Sequence, residues 1–556
     1  MKHLIAWTLA ACLLTGCAAA PVAEVTASPT TQPAQTTSEP TVSEAVPTVE
    51  ASDYVSRFDS VTDIVLSDQG VEVTGSTDAV TTSNDIIYYE DRDSYDSGNP
   101  YGEGTQQERH TAEEAAAHTV VNITAPGAYR VSGTLSAGQI RIDLGEEAEE
   151  DPEAVVELIL ENADITCTVA PAILFQNVYE CDADADTETA QAAVDTSAAG
   201  ANLILEGENA VSGSHVARIY EDSKDEKKLW KQDGAIYSYM SMNVFGPGSL
   251  DLTADNEGLD TEMHLTIQGG DIAIRSGNDG INTNEDGVSV TTINGGTLHI
   301  IAGLGAEGDG IDSNGYLVIN GGTVVASANP ASDAGLDADL GSYIHGGTVV
   351  ALGSTMDWAE SDSRQVTMNL QFADYQSSGS AIVVTKEDGS IVFAYDPSED
   401  EVLGENQRQF QGAILSCPGF TQGETYQVYL DGTVTGEEIG GVYTSVTGYE
   451  GGSQMQYTGT DLRGGRGGGM PGGEKPDMQR PEGETRPEGT PGNDRENRTP
   501  PEGFDPDRSQ RPDGETFPQG EPPEMAQDFK QSQEPSTQFY MADKVNAFSG
   551  ISPVSQ

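Results

Sequence analysis

Two short motifs alternate along the middle of this chain, and their spacing constrains its fold more than any other feature of the sequence. One motif is a Gly-Gly corner between two apolar runs. The second glycine of each corner stands 25 or 26 residues from the next, at Gly270, Gly296, Gly322 and Gly347. The other motif is an acidic turn around a glycine, with five copies whose glycines stand 22 to 30 residues apart: DGA at 233–235, EGLD at 257–260, DGIN at 279–282, DGID at 309–312 and AGLD at 334–337.

Two interleaved motifs with a common period indicate one supersecondary unit per period. Each period holds two or three short strand-like runs with glycine at the corners and no helical pattern. The frame of a leucine-rich repeat and the calcium-binding nonapeptide repeat are absent, and a propeller blade needs about 40 residues. We therefore predict an all-β fold, a right-handed parallel β-helix over residues 119–360 that is followed by a small C-terminal β-sheet domain.

Equivalent positions of successive coils stack about 4.8 Å apart in such a fold. Aligning the five turns on their glycines predicts an inward aliphatic stack of Ala235, Leu259, Ile281, Ile311 and Leu336. The same alignment predicts three further columns. They are Asp233, Glu257, Asp279, Asp309 and Ala334; an outward-facing column of Ile236, Asp260, Asn282, Asp312 and Asp337; and Ser238, Glu262, Asn284, Asn314 and Asp339.

Stacked carboxylates raise an electrostatic problem. Two of them 4.8 Å apart repel by about 1 kcal/mol in water and by roughly 3 to 4 kcal/mol at an effective dielectric constant near 20. Bridging cations would remove this repulsion, and carboxylate and amide oxygens are the ligands that Ca²⁺ prefers. Alternatively, these side chains only hold the corners by bonding to backbone amides. The predicted calcium ligands are Asp233, Glu257, Asp260, Asp279, Asn282, Asn284, Asp309, Asp312, Asn314, Asp337 and Asp339.

The N-terminus has the features of an export signal. Residues 1–17 combine a short basic start, an apolar run and the ending Leu14-Thr15-Gly16-Cys17, which is typical of a bacterial lipoprotein signal peptide. We predict that Cys17 receives the lipid and anchors the protein at the extracellular face of the cell membrane. The alternative is an ordinary cleaved secretory signal.

Composition shifts divide the rest of the chain. Residues 18–52 predict a disordered tether, residues 53–118 a polar N-terminal segment, and residues 461–535 a disordered Gly/Pro-rich insertion. Residues 361–460 together with 536–551 are predicted to form the C-terminal β-domain.

The chain carries 91 acidic and 26 basic residues, a formal net charge of −65, so it lacks the basic surface that nucleic-acid binding requires.

Several segments together carry a family resemblance: the opening ITAPGAYRVSGTLSAGQIRID, the run NLILEGENAVSG, the acidic turns, and the INGGTL and INGGTV strands. With them, the chain resembles the bacterial cell-surface carbohydrate-binding parallel β-helix family, which is related in fold to calcium-dependent polysaccharide lyases. The resemblance covers roughly residues 119–450 and the terminal strand. It implies binding of Ca²⁺ and of cellulose or acidic polysaccharides. The chain departs from the family pattern at Ala334 and in the charged loop 221–231.

The choice between a binding protein and an enzyme depends on a base. A lyase needs one, yet residues 232–363 contain no lysine and a single arginine, Arg275. Arg275 is a candidate for the base, for a contact to a sugar carboxylate, or for a neutraliser of the acidic columns. The charged loop 221–231 also contains lysines, but nothing in the sequence shows where they lie. Exposed aromatic residues stack on sugars, and Trp230, Tyr237 and Tyr316 are candidates.

We therefore predict a monomeric, calcium-loaded polysaccharide-binding protein that meets the membrane only through its lipid. The alternatives are a calcium-dependent polysaccharide lyase, or a surface spacer or adhesin that binds no sugar. Three observations lead to this preference: the oxygen-rich columns, the missing base and the acidic balance of the chain.

Overall fold

The computed structural model describes residues 54–89, 108–220, 228–354, 357–377, 379–397, 408–460 and 534–555, without the side chains of 218–220 and 228–230. These residues belong to one compact unit, Val46–Gln556. The predicted signal peptide with Cys17, the tether and nearly all of the Gly/Pro-rich insertion lie outside them. In the described part, no helix is both long and apolar enough to cross a membrane.

The described chain is nearly all β. Its one α-helix, α1 (Ala112–Ala116), begins at a Thr111–Glu114 capping box. The strands before the repeats are β1 (Val61–Leu66), β2 (Glu72–Thr74), β3 (Val80–Ser83), β4 (Thr119–Ile123), β5 (Gly127–Leu135), β6 (Gly138–Asp143), β7 (Val156–Thr166), β8 (Ile173–Asn177), β9 (Ala201–Glu206), β10 (Glu208–Gly213), β11 (Val216–Tyr220) and β12 (Lys228–Gln232).

The repeat region contains fourteen short strands. They are β13 (Gly234–Ser238), β14 (Met242–Phe245), β15 (Ser249–Ala254), β16 (Glu257–Thr261), β17 (Leu265–Ile267), β18 (Asp271–Ser276), β19 (Ile281–Thr283), β20 (Val290–Ile293), β21 (Thr297–Ile301), β22 (Ile311–Ser313), β23 (Tyr316–Ile319), β24 (Thr323–Ser327), β25 (Gly341–Ile344) and β26 (Thr348–Gly353).

The C-terminal strands are β27 (Thr367–Gln376), β28 (Ile382–Lys386), β29 (Ile391–Tyr395), β30 (Phe410–Ser416), β31 (Thr425–Leu430), β32 (Thr433–Ile439), β33 (Val442–Glu450), β34 (Ser453–Gln456), β35 (Phe539–Tyr540) and β36 (Val545–Pro553). They form antiparallel pairs, except that β36 lies parallel to β27. β30 joins them to the repeats by pairing with β26. Phe372, Phe410, Phe539 and Phe548 lie in their shared core.

Three parallel ladders run through the repeats. The acidic ladder pairs β4, β6, β8, β13, β16, β19 and β22 in that order. The amide ladder pairs β7, β9, β14, β17, β20, β23 and β25. The third ladder pairs β7, β10, β15, β18, β21, β24 and β26. From β14 to β24 the chain enters the amide, third and acidic ladders in a fixed order, once per period. The amide ladder and the third ladder belong to one large mixed sheet, and the acidic ladder belongs to a separate sheet.

The aliphatic stack exists, with one correction at its first member. Ile236, and not Ala235, pairs with Leu259, and the column continues through Ile281 and Ile311 to Leu336. The first turn is therefore shifted by one residue from its glycine alignment, because Gly234 lies opposite Glu257 and not opposite Gly258. This shift places the larger aliphatic side chain in the core, where it is fully buried.

Removing a member of this column should destabilise the protein. Ile281 is 0% exposed, so Ile281→Ala removes buried methyl groups and leaves a cavity, at a cost of about 2 to 5 kcal/mol. Ile439 is 44% exposed, and Ile439→Ala should change the stability by less than about 0.5 kcal/mol. Chemical denaturation of both variants checks this expectation. Equal midpoints would show that the column does not stabilise the repeats.

Candidate functional site

The acidic turns come together along one edge of the acidic ladder. Tyr237, Asp260, Asn282 and Asp312 lie in register on β13, β16, β19 and β22. Parallel pairing in register places equivalent residues of neighbouring strands on the same side of the ladder, so these side chains point in one direction. The predicted outward column therefore forms from Asp260 onward, but Tyr237 takes the place that was predicted for Ile236.

Three carboxylates form a compact cluster at the start of this column, which we call the acidic cluster. Asp233, Glu257 and Asp260 each offer an oxygen within 4.8 Å of the other two. Glu257 is 5% exposed and Asp260 is 0% exposed. Buried carboxylates at this separation are costly unless they are protonated, hydrogen-bonded or bridged by a cation.

The hairpin of β11 and β12 brings a lysine to the acidic cluster. Lys231 is buried, and its ammonium lies 2.9 Å from an oxygen of Asp233 and donates to the amide oxygen of Asn284. Asn284 in turn donates to Asp260. The hydroxyl of Tyr239 donates to the backbone oxygen of Lys231 over 2.9 Å and fixes the end of the hairpin. The cluster is thus partly neutralised by the chain itself.

The buried charges shift one another's pKa values. Burial, assisted by Glu257, raises the pKa of Asp260 well above its ordinary value. Burial and the charge of Asp233 raise the pKa of Glu257. For Lys231, burial alone would lower the pKa, but the surrounding carboxylates, Asp233 first, outweigh burial and raise it. Lys231 is therefore held as an ammonium ion.

Three buried oxygen atoms near this cluster lack a hydrogen-bond partner among the described residues. They are Oε2 of Glu257, Oδ2 of Asp260 and Oδ1 of Asn282. Buried polar atoms are nearly always paired, so these oxygens need either a cation or a proton shared between the neighbouring Glu257 and Asp260 carboxyls. Carboxylate and amide oxygens are hard ligands, and this set fits a divalent cation such as Ca²⁺.

The later turns use their carboxylates differently. Asp279 accepts the backbone N–H of Asp309 over 2.7 Å, and Asp309 accepts that of Ala334 over 2.5 Å. Burial, followed by the charge of Asp312, raises the pKa of both carboxyls. One oxygen of each carboxylate therefore fixes the backbone of the next turn, which is the role predicted from the sequence as the alternative to metal binding.

The remaining predicted ligands lie farther along the same edge. Asn314 donates to the backbone oxygen of Asn284 over 2.8 Å and to Asp286 over 3.1 Å, so its amide also fixes a turn. Asp312 and Asp337 are half-buried, and Asp339 is exposed. The structure thus concentrates the buried carboxylate cluster at the first two turns and leaves these positions more open.

The predicted sugar contacts do not converge on the acidic cluster. Tyr237 is completely buried and donates to Glu262, so its prediction as a sugar contact is wrong. Arg275 lies on the third ladder and pairs with Asp251. Tyr316 is half-buried, and its ring centroid lies 6.3 Å from that of Tyr343. The side chain of Trp230 lies outside the described residues.

Sequence reasoning did not place Lys231, because a lysine at the end of a charged loop is usually solvated. One signal was present: stacked acids need a cation, and Lys231 stands two residues before the first of them. Placing it required the pairing of β11 with β12, in which Val216 lies opposite Gln232.

Comparison with known proteins identifies the family of this chain. The profile of the family described as "Carbohydrate-binding domain-containing protein" matches residues 117–416, more than half of the chain. This chain belongs to that carbohydrate-binding domain family. The match begins just before β4 and ends at the last residue of β30, so it includes all three ladders and the acidic cluster.

A relative and a solved structure give further similarity. A carbohydrate-binding domain-containing protein of Acetivibrio thermocellus is 29% identical over 157 residues, which cover 28% of this chain and 45% of the relative. This chain thus spans less than half the length of that relative. A gadolinium derivative of a polysaccharide lyase-like protein from C. thermocellum is 22% identical, over 54% of this chain and 90% of that one. Its TM-score of 0.30 is too low to support any inference.

The acidic cluster predicts an unusual pH dependence of the metal-free protein. The raised pKa values of Asp260 and Glu257 mean that the native state retains protons that the unfolded state releases near pH 4. The free energy of unfolding should therefore fall as pH rises from about 5 to 8. Asp260→Asn should make this fall shallower.

Thermal melting of demetallated protein across this pH interval measures the effect. Asp251→Asn, a matched change at a side chain that is 56% exposed, should keep the wild-type slope. Wild-type and Asp260→Asn protein with the same slope would contradict the assignment of buried, protonated carboxyls to the cluster.

Proposed function

We propose that this protein is a surface-anchored carbohydrate-binding protein that holds Ca²⁺ at the acidic cluster and recognises cell-wall polysaccharide, either cellulose or acidic sugars. Membership of the family supports carbohydrate binding, and the three orphaned buried oxygens support calcium binding. The anchor rests on the Leu14–Cys17 sequence, through which a lipid would hold the protein at the extracellular face of the membrane.

The architecture that we propose is a right-handed parallel β-helix. Three parallel ladders are entered in a fixed order, and an aliphatic column runs from Ile236 to Ile311 with one residue per period. Each coil then buries its apolar side chains against the next, which a single period cannot do alone. In such a fold, the acidic ladder would present its outward column as one continuous face.

The observation that carries the calcium proposal is a charge balance. The acidic cluster has three carboxylates, and the buried Lys231 ammonium neutralises one charge, so a formal charge of −2 remains. One divalent cation would neutralise it. Glu257, Asp260 and Asn282 would hold the ion through their orphaned oxygens, with Asp233 shared between the ion and Lys231. The bound ion would supply positive charge to the carboxylate of an acidic sugar.

Two observations favour binding over lyase activity. A lyase base must be able to lose its proton, but the carboxylates around Lys231 raise its pKa and keep it charged. Arg275, the other candidate, lies on a different ladder and is paired with Asp251. Neither cation is thus placed as a free base beside the acidic cluster, and we propose a protein that holds its sugar without cleaving it.

Calcium titration tests the site. By calorimetry, wild-type protein should bind Ca²⁺, and Asp260→Asn should weaken binding at least about tenfold, or 1.4 kcal/mol, because it removes a buried anionic ligand. Asp251→Asn removes the same charge from an exposed position and should bind as wild type does. Equal affinity in all three proteins, or no binding at millimolar Ca²⁺, would refute the metal proposal.

Polysaccharide binding needs its own experiment. The protein should co-sediment with insoluble pectin in Ca²⁺, and chelator or Asp260→Asn should release it, because an acidic sugar would lose its bridging cation. A parallel measurement of ultraviolet absorbance from unsaturated uronates should stay flat. Steady product formation would replace the binding proposal with the lyase, and no retention on pectin or cellulose under any condition would favour a surface spacer.

A further inference from the structure

A groove of about 500 Å³ lies over the amide ladder. Its floor is a row of polar side chains in register on four adjacent strands: Asn202, Asn243, Thr266 and Thr292. The segments 54–57 and 194–197 form its sides. None of the predicted metal ligands lines it, so the groove is separate from the acidic cluster.

The floor is rigid because its members bond to one another. The hydroxyl of Thr196 lies 2.7 Å from both the Asn243 amide oxygen and the Thr266 hydroxyl. The amide nitrogen of Asn243 donates to the backbone oxygen of Thr196 over 2.9 Å and to Asn202 over 3.1 Å. Asn202, Asn243 and Thr266 are buried by these contacts, so they fix the base of the groove, and little ordering of side chains would accompany binding at its rim.

The rim of the groove presents polar groups that the protein leaves available. Asn320 donates to Asn294 over 2.8 Å, and Asn294 donates to the amide oxygen of Gln268 over 3.1 Å. This chain of bonds orients the amides and directs the nitrogen of Gln268 away from Asn294. Within the described residues, that nitrogen and the hydroxyl of Thr292 have no hydrogen-bond partner, although both side chains are only half-exposed.

One wall of the groove is aromatic. The rings of Tyr54 and Phe245 stand 4.7 Å apart at 42° and are half-buried. The segment that carries Tyr54 is fixed by the buried carboxylate of Glu157, which accepts the N–H of Arg57 over 2.8 Å and the hydroxyl of Ser56 over 2.5 Å. Burial and Glu157 also raise the pKa of Tyr54, so its ring remains neutral.

These surfaces match the two faces of a sugar. A pyranose ring has an apolar face of C–H bonds, which packs on aromatic rings, and hydroxyl groups that exchange hydrogen bonds with amides and hydroxyls. The charged side chains that line the groove are Arg57 and Asp195, one of each sign. The groove thus has no net charge and needs no cation to receive a neutral sugar, whereas the acidic cluster is anionic in the absence of a cation.

We propose that this groove is a carbohydrate subsite that binds a neutral oligosaccharide without calcium. The inference rests on the carbohydrate-binding part of the proposed function, but not on its metal site. The polar rim would hold the hydroxyls through Gln268 and Thr292, and the wall of Tyr54 and Phe245 would pack on the ring.

Calorimetry with cellohexaose and xylohexaose as neutral probes, in chelator, tests the proposal. Wild-type protein should bind at least one probe, and Phe245→Ala and Gln268→Ala should each weaken binding at least tenfold. Tyr540→Ala and Gln69→Ala remove an aromatic ring and an amide from exposed positions elsewhere and should bind as wild type does. Asp260→Asn should also leave this affinity unchanged. Melting curves verify that each variant is folded.

The outcomes separate the two sites. If neither probe binds at millimolar concentration, or if both groove variants bind as wild type does, the subsite is refuted. Retention on pectin in Ca²⁺ would then leave the proposed function standing, whereas its loss as well would remove both. Probe binding that survives chelator but disappears in Phe245→Ala would support the groove even if no calcium site exists.

Discussion

Parallel pairing in register is the constraint on which the rest of this structure depends. It stacks each residue on its equivalent one period away, at about 4.8 Å, whatever the chemistry of that residue. For Leu259, Ile281 and Ile311 this repetition adds up buried apolar area. For carboxylates the same repetition increases the electrostatic repulsion between neighbouring charges. The same geometry that stabilises the core thus concentrates negative charge along one edge, and the chain must compensate for that charge.

The compensation differs from turn to turn. At Asp279 and Asp309, backbone N–H groups of the next turn satisfy one carboxylate oxygen each. At the acidic cluster, the hairpin of β11 and β12 covers the carboxylates and inserts Lys231. Burial, together with the carboxylate charge that one lysine cannot balance, raises the pKa values of Glu257 and Asp260, and orphaned oxygens remain beside them. The residual charge and the unpaired oxygens of this cluster are the basis of the proposed cation site, whereas the carboxylates of the later turns accept backbone N–H groups.

The sequence pattern predicts the features that recur in every period, but it does not predict features that occur only once. The period, the strands and the aliphatic column follow from spacing, because stacking requires the same residue type at the same interval. The first turn is an exception: its glycine, Gly234, aligns with the glycines of the other turns in the sequence, yet in the structure Ile236 pairs with Leu259 and the register is shifted by one residue. Tyr237 was wrongly predicted to be exposed, and Lys231 could not be placed, because its position depends on the pairing of β11 with β12 outside the repeat.

The groove shows why carbohydrate recognition here need not coincide with the acidic turns. Its floor comes from the repeats, where Asn243, Thr266 and Thr292 occupy equivalent positions. Its aromatic wall requires Tyr54, which lies far from the repeats in sequence and is attached through Glu157. Two ladders thus carry opposite chemistries, one anionic and one neutral. A chain whose ladders differ in this way can combine a cation-dependent contact with a cation-independent one, because side chains on separate ladders do not compete for the same surface.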